Sequence, residues 1–299
     1  MKIDGKAIAR EIFEELKIRV QNLKEQNIVP HLAIILVGDD PASVSYVNRK
    51  KKKGEEIGAA ATMYNFPSNI STDTLLKLLK KLNEEPKIHG IIVQRPLPNH
   101  VDSELINQAV KPKKDIDAFR KDSPYLMPLA SAVLKILEHI YSVISSASER
   151  SLASFEMTKG WLKSQSIVVI GKGETGGGPV IAMLKKMGIQ PCVIDSKTKN
   201  QELLTQNADI IISTVGKLNI IKSTELKKGV ILIGVGMYKG IDDKLHGDYE
   251  EEDIKNIASF YTPVPGGVGP INVAMLLENL LQATKEFVTV HSSTIKLSF

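Results

Sequence analysis

The chain has 299 residues, 42% of them hydrophobic and 24% charged, with a net charge of +5 and a pI near 9.0. This composition excludes a disordered or fibrous chain and supplies enough apolar residues for two cores. The single cysteine, Cys192, excludes an intramolecular disulfide and suits a reducing, cytoplasmic setting, and no apolar run is long enough for a membrane span.

The opening run MKIDGKAIAREIFEELKIRV reads as an amphipathic helix over 6–26 and lacks the apolar core of a signal peptide. Short apolar runs then alternate with helical patterns. The strand candidates are 32–38, 61–66, 90–94, 166–171, 191–195, 208–213 and 229–234. The helical candidates are 41–57, 71–84, 128–145, 177–188 and 270–287. This alternation predicts an α/β protein with parallel sheets. The Ser-rich stretch 142–165 reads as a linker, with the lone Trp161 expected at the domain junction. The expected domains are 1–145 and 146–269, with the C-terminal helix over 270–299 returning to the first.

Within the first domain, SVSYVNRKKKKGEEIG (43–58) reads as a helix on which Tyr46 and Lys50 share a face. A run of lysines is usually a solvated basic face, and that reading suits Lys51 and Lys52. Lys50 is expected to turn inward, where a partly desolvated amine can move protons. Without interleaved aromatics, the run is poor evidence for nucleic-acid binding. Gln94 ends the strand of GIIVQRPLP (90–98), and strand C-termini are where open α/β sheets bind ligands. In KDIDAF (114–119), Asp115 and Asp117 alternate, so one can face a ligand while the other caps local backbone.

In the second domain, a strand leads into GKGETGGGP (171–179) and a helical pattern follows. Gly171, Gly173 and Gly176 fit the dinucleotide fingerprint, in which glycines let the backbone approach a pyrophosphate at a helix N-terminus. Asp195 ends the next strand, where a carboxylate can hold both ribose hydroxyls of NAD. Lys172 and Lys197 leave NADP open, since either can meet a 2′-phosphate. Finally, TPVPGGVGP (262–270) is richer in proline and glycine than a plain turn requires, and it precedes a helix expected to start near Pro270. No spacing of the six histidines or Cys192 suggests a metal site.

In this order, IDGKAIA, LAIILVGDDPASVSYVNRK, GIIVQRPLP, KDIDAF, the glycine loop, ADIIISTVGK and TPVPGGVGPINVAMLLENLL resemble the bifunctional methylenetetrahydrofolate dehydrogenase/methenyltetrahydrofolate cyclohydrolase family. The resemblance implies two α/β domains with a cleft between them, the second Rossmann-like, and a homodimer. It implies oxidation of 5,10-methylenetetrahydrofolate with NAD or NADP, then hydrolysis of the methenyl product to 10-formyltetrahydrofolate, within one-carbon metabolism and purine biosynthesis. Lys50 matches the catalytic lysine, Tyr46 the tyrosine that orients the folate, Gln94 the glutamine that tunes the lysine, and Asp117 the aspartate that holds the pterin. Val93, Arg95 and the loop Pro263, Val264, Pro265, Gly266 and Gly267 match substrate-binding positions. Lys172, Ser196, Thr214, Val215 and Gly216 join Gly171, Gly173, Gly176 and Asp195 at cofactor-binding positions.

The chain also departs from the pattern. Gly171-Lys172-Gly173 replaces the usual Gly-Arg-Ser, and Asp195 stands where many members have histidine, which leans the cofactor towards NAD although most members use NADP. Ala118 sits where glycine is common, Gly234 where aspartate is common and Asn272 where threonine is common, and the segment 118–134 is shortened. A monofunctional enzyme, or a non-catalytic folate- or nucleic-acid-binding protein, are the alternative readings.

Overall fold

The computed structural model describes residues 1–145 and 155–295. The chain divides into two compact units, Arg10–Pro128 with Val273–Phe299, and Met1–Ala9 with Leu129–Asn272.

The first unit is built on three parallel strands in the order β2-β1-β3: β1 (His31–Val37), β2 (Ala60–Phe66) and β3 (Gly90–Val93). All of β3 is buried and β1 is buried from Leu32 onward, as expected of continuous apolar runs in a covered parallel sheet. β2, at the edge, is only half-buried. Helix Thr72–Glu84 carries its apolar stripe, Leu75, Leu79 and Leu82, into a core with Ile35, Val37, Ile91 and Ile106. Helix Val268–Ile295 contributes Asn279, whose Nδ2 donates to the carbonyls of Ile116 (2.8 Å) and Leu126 (3.0 Å). These bonds fix its C-terminal part to this unit. The helix begins at Val268, two residues before the expected start, and Pro270 falls in its first turn, where a missing N–H costs nothing.

The second unit holds five parallel strands in the order β10-β7-β6-β4-β5: β4 (Ile167–Ile170), β5 (Cys192–Ile194), β6 (Ile210–Ser213), β7 (Ile231–Gly234) and β10 (Phe260–Tyr261). A short antiparallel hairpin, β8 (Tyr238–Lys239) with β9 (Leu245–His246), stands apart from that sheet. Val168, Ile170, Ile194, Ile211, Leu232 and Tyr249 belong to the unit's core.

Two expectations are revised. The proposed linker 142–165 contains helix Phe155–Lys163, which buries Thr158 and Leu162; residues 146–154 lie outside those described. Trp161 stacks on Tyr141 (centroids 5.5 Å apart) inside the second unit rather than at a junction. Residues 129–145 therefore group with the nucleotide-type sheet, as do Met1–Ala9, tied to it by Ile3 N–H donating to Tyr261 O at 2.8 Å.

Candidate active site

Helix Pro41–Glu56 starts cleanly because Asp40 accepts a 2.8 Å bond from Ser43 N–H and Pro41 occupies the first turn. Its buried stripe is Ser43, Val47, Lys50 and Gly54. Lys50 is therefore the lysine of the basic run that turns inward, at 9% exposure. Its ammonium donates to Gln94 Oε1 at 3.2 Å and lies 3.5 Å from Asp117 Oδ2. Gln94 Nε2 donates to Arg95 O at 2.7 Å, which turns the amide oxygen towards the lysine.

A parallel bridge joins Ile91 to Asp115 and ties this segment to β3; the turn that follows, with Ala118 N–H donating to Asp115 O at 3.1 Å, carries Asp117 to Lys50. Asp115, at 4% exposure, turns the other way and accepts from the backbone N–H of Phe119 (3.4 Å) and Arg120 (2.9 Å). Burial pushes its carboxyl up to about 6 against those bonds. Asp115 thus caps backbone while Asp117 pairs with Lys50, and a turn at 116–117, not an extended alternation, separates them. Ala118, between them and Phe119, has φ 58, the left-handed conformation that explains why glycine is usual there.

Tyr46 lies one turn before Lys50, with the Arg49 guanidinium 5.8 Å from its ring centroid, and burial raises its phenol above the ordinary range. Val93 is buried at the end of β3. Arg95 is engaged within the fold. It donates to Ser103 Oγ (2.7 Å) and Asn107 Oδ1, and its guanidinium lies 5.0 Å from the Phe119 ring centroid.

In the second unit, Ile170 pairs with both Ile194 and Ser213. The next residues, Gly171, Asp195 and Thr214, are therefore neighbours at the carboxyl edge of the sheet, where this architecture binds nucleotides. Gly171 has φ +93, and a Cβ there would meet Thr214 Oγ1 at 2.6 Å. A Cβ at Gly177 would lie 2.0 Å from Gly171 O, so this residue, which opens helix Gly177–Lys186, is as stringent as Gly171. Gly173, by contrast, has open space around it. The fingerprint match at Gly173 and Gly176 passed over Gly177; the Gly176-Gly177-Gly178 run was the available signal. A strand, a tight glycine turn and a helix N-terminus fit a dinucleotide pyrophosphate.

Asp195 is held by Lys172 Nζ (2.7 Å), the Lys197 N–H (2.9 Å) and the Thr198 hydroxyl (3.1 Å), which together lower its carboxyl to about 2. Ser196 is exposed, and Val215 and Gly216 are half-buried on the loop after β6. The loop Pro263–Gly267 belongs to this unit; Gly266 has φ +111, and a Cβ at Gly267 would meet Pro263 O and Thr262 Cβ at 2.7 Å each. Among the described residues, no cluster of three metal-ligating side chains occurs and no helix is long and apolar enough to cross a membrane.

Residues 3–117 match the catalytic domain of tetrahydrofolate dehydrogenase/cyclohydrolase, and residues 151–288 match its NAD(P)-binding domain. The chain is 38% identical over 285 residues to the bifunctional protein FolD of Nautilia profundicola, covering 95% of this chain and 97% of the relative. It is similar to the crystal structure of the bifunctional FolD methylenetetrahydrofolate dehydrogenase/cyclohydrolase of Campylobacter jejuni (37% identity, TM-score 0.85, 96% and 99% of the two chains). It is also similar to the Trypanosoma brucei FolD structure complexed with NADP cofactor and inhibitor (28% identity, TM-score 0.84, 96% and 98%). These matches span nearly the whole chain and both units, and the chain belongs to the tetrahydrofolate dehydrogenase/cyclohydrolase family.

Proposed function

We propose that this protein oxidises 5,10-methylenetetrahydrofolate to 5,10-methenyltetrahydrofolate with NAD(P)+ and hydrolyses the product to 10-formyltetrahydrofolate. The observation that carries this reading is the buried Lys50 ammonium with Gln94 Oε1 at 3.2 Å and Asp117 at 3.5 Å. Opening a methenyl cation requires water to lose a proton beside the cationic carbon. Lys50 moves that proton, Gln94 fixes the direction of its N–H bonds, and Asp117 compensates its charge and accepts from the amino edge of the pterin. Tyr46, one turn away on the same helix, presents a flat aromatic face to the folate ring. Val93 and Arg95 shape the folate-binding face of the first unit, with Arg95 acting through its hold on Ser103, Asn107 and Phe119, and the family pattern assigns the loop Pro263–Gly267 of the second unit to folate binding.

The nicotinamide cofactor, when bound, accepts a hydride from the methylene carbon. Gly171, Gly173, Gly176 and Gly177 would hold its pyrophosphate against the helix N-terminus, and Thr214, Val215 and Gly216 would line its nicotinamide side. Asp195 would take the ribose hydroxyls, and we assign a preference for NAD: a carboxylate fixed by three donors meets a 2′-phosphate with like charge. We further assign a homodimer in the cytoplasm, supplying one-carbon units to purine biosynthesis. The family pattern supports this assignment, and the free, exposed Cys192 agrees with a reducing compartment.

Separate assays test both halves. Lys50→Met is expected to lower cyclohydrolase turnover at least ~100-fold, the range of acid–base catalysis, in a chain that still folds. Full hydrolysis by that variant removes Lys50 from the mechanism. Reduction of NAD and NADP with methylenetetrahydrofolate, measured side by side, tests the cofactor assignment, and a strong NADP preference overturns it.

A further inference from the structure

The segment Gly247-Asp248-Tyr249 carries no motif, yet all three residues are buried, with Asp248 at 0% exposure. The Asp248 carboxylate accepts from Ser213 Oγ (2.5 Å), Val215 N–H (3.0 Å) and Lys217 N–H (2.9 Å). These three donors span the turn after β6, including Val215 and Gly216. The neighbouring backbone is packed to match, since a Cβ at Gly236 would lie 2.4 Å from Asp248 Oδ2. A carboxylate buried in this way is compensated only by this turn conformation, so the turn and the carboxylate specify each other.

The next residue serves the other loop. Tyr249 Oη donates to Thr262 O at 2.7 Å, where the proline–glycine loop begins. Thr262, also at 0% exposure, accepts on Oγ1 from Gly234 N–H at 2.8 Å. On the other side of Asp248, a Cβ at Gly247 would lie 2.9 Å from Val264 Cγ2. At Gly234 a Cβ would meet Tyr249 Oη at 3.0 Å and Cε1 at 3.1 Å. The space that an aspartate side chain would need at Gly234 is therefore filled by the Tyr249 phenol.

We propose that Gly247-Asp248-Tyr249 is a positioning segment that sets both ligand loops at once, Asp248 fixing the cofactor loop 213–217 and Tyr249 the substrate loop 262–267. This rests on the assignment of those loops to NAD(P) and folate given above. Asp248 and Tyr249 act through the backbone they hold in place.

Steady-state kinetics of the full-length enzyme test the proposal. Ser213→Ala removes one donor to Asp248, and Asp248→Asn replaces one acceptor oxygen by a donor. Both are expected to raise KM for NAD(P), by roughly threefold and at least tenfold respectively, more than they change kcat or the folate KM. Tyr249→Phe keeps the ring and deletes the hydroxyl; it is expected to raise KM for methylenetetrahydrofolate several-fold, more than that for NAD(P). A residue that merely stabilised the fold would lower Tm without this ligand-by-ligand split. Should Asp248→Asn fail to fold, Ser213→Ala and Tyr249→Phe decide the matter. Thr214→Ala and Pro265→Ala serve as direct probes of the loops. If they raise the matching KM while Ser213→Ala and Tyr249→Phe leave both KM values within twofold of the parent, the positioning role is overturned. If Thr214→Ala and Pro265→Ala also change nothing, the loop assignment fails and the proposal falls with it.

Discussion

Asp115 makes stability depend on pH in a direction opposite to that of a salt-bridged carboxylate. Its carboxyl is 4% exposed and raised from 3.8 to about 6, chiefly because burial disfavours the charge. Below about pH 4 both native and unfolded chains hold the proton and the native state keeps its full advantage. Between about 4 and 6 the unfolded chain releases the proton first, so stability falls as pH rises; above about 6 both are ionised and the loss is complete. A shift of this size corresponds to about 2–4 kcal/mol. Asp115→Asn removes the titration while keeping one acceptor oxygen for the Phe119 and Arg120 amides. Amide exchange at Ile91 and Ile92 of β3, in the core of the same unit, reads its opening free energy. The parent-minus-variant difference is expected to be about 2–4 kcal/mol less favourable to the parent at about pH 7.5 than at about pH 4. Any constant cost of the lost acceptor cancels in that comparison, and an equal difference at both pH values refutes the reasoning.

Other outcomes follow from single positions. Ala118→Gly relieves a left-handed residue at φ 58 and should stabilise the chain by about 0.5–1 kcal/mol in urea unfolding, the left-handed penalty less the entropy glycine adds to the unfolded state. Gly177→Ala puts a methyl 2.0 Å from a backbone oxygen, so NAD(P) affinity by titration should fall more than tenfold while methenyltetrahydrofolate hydrolysis persists. Asp195→Ala should raise KM for NAD and lower it for NADP, read as the ratio of the two kcat/KM values. Leu79→Ala, at a side chain with 0% exposure, should cost about 2–5 kcal/mol with little change in KM.

The strands were legible because parallel sheets covered on both faces demand short unbroken apolar runs, and LAIILV, GIIV, IVVI and IIIS are such runs. The Lys50 face was legible because helical spacing is rigid. Asp115 and Asp117 part company for a different reason than the expected extended alternation: Asp115 opens a turn, with Ala118 N–H donating to Asp115 O at 3.1 Å. Helices Ser103–Ala109 and Gln201–Gln206 escaped notice; each is under two turns, too short for a periodic pattern. Arg95, matched to a substrate-binding position by resemblance, is engaged by Ser103 and Asn107, partners that the sequence around it does not announce. Asp248 was invisible because its three donors lie more than thirty positions earlier and two of them are backbone, which leaves no trace in side-chain identity.

The cap at Asp40 has a consequence for how this site tolerates change in length. Each residue added or removed between Asp40 and Lys50 turns everything after it by about 100° and shifts it by about 1.5 Å. Because lysine also occupies 51, 52 and 53, deleting one residue there would still deliver an amine to the inward position, while adding one would deliver Arg49 instead. Tyr46 has no such understudy. The lysine run thus works as a one-sided vernier: chemically redundant towards shorter helices, while the tyrosine keeps the scale at its present mark.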